Sequence, residues 1–263
     1  MAEQLIFRGS AAYQKYEELL MRRDALKKEA FQYHLEYARV FGELIIEVFN
    51  AKIEAIRLKK TIDFCQTFFN RGENVDQAAL QDYIQKELEQ YRWRLDELLS
   101  EYKNASGAEM ASEADMIKIK KIYRRLAKQI HPDMNPSVAE NEELKELWQR
   151  LVIAYNCNNL KEMEEIEVLV AAVLDRMGMG GGDTAVSNIE EKIAALEEEI
   201  ETIKNTDPYQ YKKLLEDEAA VESKKAELRE ELQKYKDHVA ELEKMLEDMI
   251  LQNGVKFVWK ITL

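Results

Sequence analysis

The chain of 263 residues carries 38 Lys and Arg against 51 Asp and Glu, a net charge of −13, with only 9 Gly and 3 Pro. So acidic a chain is not expected to bind nucleic acid in general, because phosphate recognition draws on clustered Lys and Arg. A background rich in Ala, Glu, Lys and Leu with few turn formers favours long helices over sheets.

Cys65 and Cys157 are the only cysteines, and neither has a second Cys or a His at ligand spacing. No metal or other cofactor is therefore expected, and a reducing compartment is. The first eight residues lack the basic start and apolar run of a signal peptide. No stretch approaches eighteen consecutive apolar residues, so no membrane span is expected and the expected location is cytoplasmic.

In chain order, Ser10 suits a helix N-cap. From Ala11 to about Asn70 apolar and aromatic residues recur at helical spacing, including Tyr16, Leu19, Leu20, Leu26, Phe31, Phe41, Leu44, Val48, Ile53 and Ile56. The pattern predicts one long helix, with room for a break before Thr61. Asp76 is positioned to cap a second helix running to about Lys103. The short intervening loop implies an antiparallel hairpin over residues 1–103.

A linker at Asn104–Ala108 leads to a segment of shorter helices, 104–177. Residues 178–186 hold four of the nine glycines and read as a linker. From 187 to 252 the chain has 19 acidic and 10 basic residues. Ile189, Ile193, Leu196, Ile200 and Ile203, and later Leu228, Leu232, Tyr235, Val239, Leu242, Leu246 and Met249, step by 4 and 3. That spacing predicts a coiled-coil arm, with Pro208 opening a new helix. The surplus of heptads after Leu228 leaves self-association or a docking surface as uses for the arm. In 253–263, Val255, Phe257, Trp259, Ile261 and Leu263 alternate as in a strand. Such a strand needs a partner, either Leu5–Phe7 or another chain.

The chemistry of the chain concentrates at one place. Between Met116 and Ile130, Ile119, Ile122, Tyr123, Leu126 and Ile130 share a helix face. Lys118, Lys120, Lys121, Arg124, Arg125 and Lys128 occupy the rest, six cations with no anion. A solvated helix ordinarily mixes signs to gain i,i+4 pairs. A one-sign face suits an acidic partner, which complementary charge attracts and orients. Pro132 keeps His131 out of helical geometry, which predicts a turn with His131 and Asp133 presented rather than buried. Leu144, Leu147, Trp148, Leu151, Ala154 and Tyr155 then form the apolar face of the next helix.

Two antiparallel helices joined by His131-Pro132-Asp133 resemble the J-domain of Hsp70 co-chaperones. Lys120 to Ala127 follows the family's Lys-Lys-Ala-Tyr-Arg-Lys-Leu-Ala spacing. Trp148-Gln149-Arg150-Leu151-Val152-Ile153-Ala154-Tyr155 follows its Phe-Gln-x-Ile-x-x-Ala-Tyr. The resemblance covers about residues 116–165. It implies that His131, Pro132 and Asp133 trigger ATP hydrolysis on Hsp70, and that Lys120, Arg124, Arg125 and Lys128 dock on its acidic surface. By the same resemblance Tyr123 and Asn135 lie near the contact and Trp148 packs behind it. Met134 departs from the usual cation, and residues 108–115 lack the family's first-helix Tyr-x-x-Leu, for which Leu98, Leu99 and Tyr102 could substitute.

The resulting expectation is a mainly α protein: a long helical hairpin, a small J-domain-like module, a coiled-coil arm and a short C-terminal strand. It would act as a co-chaperone that stimulates Hsp70, with its helical arms recruiting a client or partner and with no chemistry of its own. The alternative is a coiled-coil adaptor with a degenerate, non-stimulating J-like segment. No nucleophile–base pairing suggests an enzyme.

Overall fold

The computed structural model describes residues 6–7, 11–107, 111–135, 138, 140–177, 185–186 and 188–252. Helix α1 spans Ala11–Phe69 without interruption, and α2 spans Gln77–Gly107. The break considered before Thr61 does not occur. Thr61 stays in the helix, with its hydroxyl donating to the Arg57 carbonyl at 2.8 Å. Asp76 caps α2 as its sequence context predicts, accepting from the backbone of Ala78 and Ala79. Ser10, the other expected cap, lies outside the described residues.

Three shorter helices follow: α3 (Glu113–Ile130), α4 (Glu142–Asn156) and α5 (Leu160–Arg176). Each begins at a polar cap, Ser112, Asn141 and Asn159, whose side chain accepts a backbone N–H of the first turn. Then come α6 (Ile189–Asn205), the short α7 (Tyr211–Leu215) and α8 (Glu218–Gln252). Pro208 lies in the turn before α7 rather than inside a helix. Strands β1 (Ile6–Phe7) and β2 (Ala185–Val186) pair antiparallel. The strand expected at 253–263 lies outside the described residues, and β2 is the partner found for Ile6–Phe7.

The chain forms two compact units, residues 1–34 with 107–213, and residues 35–106 with 214–263. Both are discontinuous, in place of the consecutive blocks that the sequence pattern implies. The reason is α1, whose length carries it from one unit into the other at His34–Leu35.

In the second unit, α2 returns antiparallel along α1. Lys60 pairs with Glu87 at 2.6 Å, Phe64 meets Tyr83, and Arg39 donates to the Ala105 carbonyl. Tyr102 lies directly against Gly42, where a Cβ would meet its ring at 2.7 Å. Helix α8 lies parallel to the same part of α1. Leu228 and Leu232 pack with Phe41 and Val48, and Leu242 and Leu246 pack with Ala55, Leu58 and Ile62. The heptad positions of α8 thus find their partner within the chain.

In the first unit one core joins α3, α4 and α5 to the start of α1 and to α6. Its members include Ile119, Ile122, Leu126, Ile130, Leu144, Leu151, Ala154, Met163, Ile166 and Val170, with Tyr13, Tyr16 and Leu20 from α1. The first-helix role considered for Leu98, Leu99 and Tyr102 therefore falls elsewhere. Those residues belong to the second unit, and Tyr13, Tyr16 and Leu20 supply the missing layer. Ile189, Ile193 and Leu196 of α6, expected in the coiled-coil arm, are buried in this core as well.

Candidate functional site

The site is built where α3 ends. The last turn of α3 closes with the His131 N–H donating to the Ala127 carbonyl, and His131 then takes extended angles, φ −66° and ψ 123°. This is the restriction that a following proline imposes. The chain turns at once: Met134 and Asn135 both donate their backbone N–H to the His131 carbonyl. The Asn135 amide adds a third bond to that oxygen at 3.3 Å and a contact to the Lys128 carbonyl at 3.4 Å. Asn135 is thus a buried brace of the turn. Met134 is buried too, joining the core, which accounts for an apolar residue at that position.

The His131 ring is 2% exposed, not presented to solvent as the turn alone had suggested. The Asp133 N–H donates to Nδ1 at 3.0 Å. Nε2 faces the Asp24 carboxylate at 3.6 Å. The ring packs on Trp148, centroid to centroid 4.5 Å, which fills the role foreseen for that tryptophan. Tyr123 is buried, stacks on Tyr155 at 3.9 Å, and donates its hydroxyl to Asp24 at 2.8 Å.

What covers His131 is the fourth turn of α1. Arg23 reaches Asp24 at 2.8 Å and Asp133 at 3.3 Å, with Nη2 only 3.2 Å from His131 Nε2. Tyr16 donates to the Asp133 carbonyl at 3.3 Å. Burial works against the Asp24 charge, yet the His131 contact, the Arg23 guanidinium and the Tyr123 hydroxyl outweigh it and hold the carboxyl below its usual range. Burial, reinforced by the Asp24 charge, pushes the Tyr123 phenol well above its ordinary value.

Lys28, one turn on, is 5% exposed, and its ammonium has no hydrogen-bond partner among the described residues. It sits over the Tyr155 ring at 3.9 Å. Burial and the nearby Lys120 charge bring its pKa down to about 8.

The cationic residues of α3 divide into two groups. Lys128 pairs with Glu17 of α1 at 2.5 Å, and Arg125 pairs with Glu167 of α5. Lys120, Lys121 and Arg124 are exposed and form no ion pair among the described residues. All nine expected site residues from Lys120 to Asn135 therefore lie on α3 and its closing turn, but six of them, Tyr123, Arg125, Lys128, His131, Asp133 and Asn135, are engaged from within the chain. Sequence reasoning missed Arg23 and Asp24. The signal was there: Tyr13, Tyr16 and Leu20 set a stripe that Asp24 and Lys28 continue at four-residue spacing, so charged residues stand where the core periodicity demands apolar ones.

Residues 109–161 match the family model of the DnaJ domain. This segment is a J-domain. The match takes in α3, the His-Pro-Asp turn and α4 and ends as α5 begins. No curated protein and no solved structure matches the chain. At the level of the family, a J-domain indicates co-chaperone function in partnership with Hsp70. Among the described residues no group of His, Cys, Asp and Glu could hold a metal ion, and no helix is long and apolar enough to cross a membrane.

Proposed function

We propose that this chain is a J-domain co-chaperone that binds Hsp70 through α3 and the His131-Pro132-Asp133 turn and stimulates its ATP hydrolysis, performing no chemistry itself. The observation that carries the reading is the J-domain itself: an antiparallel α3–α4 pair, its turn made of His-Pro-Asp, and a face with Lys120, Lys121 and Arg124 open to an acidic surface. The helices of the second unit would recruit a client or partner.

The test is steady-state ATPase of a cognate Hsp70 with the full chain, with His131→Gln and with Asp133→Asn. Asp133 has a half-exposed side chain, so its substitution probes contact with little cost to folding. Stimulation by the wild type and its loss in both variants is expected. Absence of stimulation, or equal stimulation by all three, overturns the reading. A second reading, a structural adaptor whose J-domain does not stimulate, draws support from one observation, the burial of His131 beneath α1. Under it, capture of Hsp70 would be absent at low salt. A charge-steered contact would instead be present at low salt and weaken as salt rises.

A further inference from the structure

The His-Pro-Asp turn is occupied. His131, Asp133 and Lys128, three of the groups the J-domain resemblance assigns to Hsp70, are each engaged by α1. Arg23 supplies a cation to Asp133, Asp24 an anion facing His131, and Glu17 an anion to Lys128. An acidic partner surface would have to replace Glu17, and any cation it brought to Asp133 would have to displace Arg23. Helix α6 braces the outer side. Glu199 contacts both Arg23 at 3.7 Å and Lys27 at 2.6 Å, and Glu197 pairs with Lys15 at 2.8 Å.

We propose that residues 23–28 of α1, past the core anchor Leu20, are an intramolecular latch over the His131–Asp133 site, which Hsp70 reaches only after this stretch has lifted. The identity of the visitor rests on the co-chaperone reading above; the latch itself rests on the contacts alone.

The stretch is built to release. Leu26 is buried past Leu20, but the ties of this stretch to the turn and to α6 are ionic. The partners Asp133 and Glu199 keep 49% and 38% of their side chains exposed, so water and salt compete for them. Lys28 opposes closure, since its buried ammonium has no hydrogen-bonding partner among the described residues and would regain water on lifting. Lys120, Lys121 and Arg124 stay open when the latch is shut, and offer an acidic surface its first foothold.

Two measurements on the full-length chain test this. The rate at which diethylpyrocarbonate modifies His131 is followed by peptide mass spectrometry, with the half-exposed His238 as internal reference. Hsp70 ATPase stimulation is measured on the same samples. Wild-type His131 is expected to react at least tenfold more slowly than His238. Arg23→Ala and Glu199→Gln are expected to raise both the His131 rate and the stimulation several-fold. If Arg23→Ala loses helical content by circular dichroism, the partly exposed Glu199→Gln decides. A wild-type His131 as reactive as His238 overturns the latch, as does stimulation that is already present and unchanged by the variants. Stimulation absent from every chain while His131 is slow in the wild type and faster in the variants leaves the latch standing and removes Hsp70 as the visitor.

Discussion

Along its first turns α1 buries Tyr13, Tyr16 and Leu20, and then Asp24 and Lys28; beyond Leu35 the same helix buries Phe41, Val48, Ala55, Leu58 and Ile62. The later stretch is an ordinary apolar seam against α2 and α8, which needs only volume and exclusion of water. The earlier one changes character after Leu20. Buried charge is costly unless each group is paired and hydrogen-bonded, so Asp24 is tolerable only because Arg23, Tyr123 and His131 surround it. A helix that sets Asp24 and Lys28 in its buried stripe needs specific partners for them, which volume alone does not supply.

Truncating the apolar anchors is the harshest way to break this comparison. Phe41→Ala should cost about 3–5 kcal/mol and Leu20→Ala about 2–5 kcal/mol. Because the chain has two compact units, hydrogen exchange helix by helix is the suitable readout. Leu20→Ala should raise exchange in α3–α5, and Phe41→Ala in α2 and α8. Exchange that rises evenly throughout in either variant would erase the distinction between the stretches.

Next comes Asp24→Asn, which leaves Arg23 without its buried counter-charge and should destabilise the first unit by about 3 kcal/mol. The Asp24 carboxyl is held below its usual range, so its contribution is present above the unfolded carboxylate value, about 4, and is lost as pH falls through the lower folded value. Acid titration of first-unit stability should show this loss in the wild type, and Asp24→Asn should flatten it.

Lys28 has the opposite sign. Its folded pKa of about 8 lies below the ordinary 10.5, so the folded state holds fewer protons between these values and stability rises with pH across that window. Lys28→Met should therefore stabilise the chain near neutral pH by about 1–2 kcal/mol and abolish the alkaline rise. Thermal melts at pH 7 and pH 10 measure both. A destabilised Lys28→Met would show that the contact with Tyr155 outweighs the burial of charge.

The smallest effect belongs to the second stretch. Gly42→Ala gains helix propensity of about 1 kcal/mol but drives a methyl into the Tyr102 ring. A net loss of about 1 kcal/mol or less is expected in denaturant melts, because the ring can turn aside.

The helical character, the hairpin loop at Asp76 and the J-domain were legible because each rests on local periodicity or on a turn that a proline dictates. The partners of those helices were not. Leu228 to Leu246 repeats as a coiled coil whether its mate is a second chain or α1, and periodicity does not name the mate. Ile189 to Leu196 has the same spacing and packs into the J-domain core instead. The burial of His131 was hidden for a related reason: proline geometry predicts an exposed turn, but Arg23 and Asp24 cover it from more than a hundred residues away. Only the charged continuation of the Tyr13–Leu20 stripe hinted at them.

The tether between α1 and the J-domain has a thermodynamic consequence. On the latch proposal Arg23 competes for Asp133 as a ligand attached to the same molecule, so dilution cannot weaken it. A site open only one part in a hundred binds an outside partner about a hundredfold more weakly than the bare site does. Salt loosens the internal competitor as well as the external contact. The covered chain should therefore lose partner affinity more gently with rising ionic strength than one lacking Arg23.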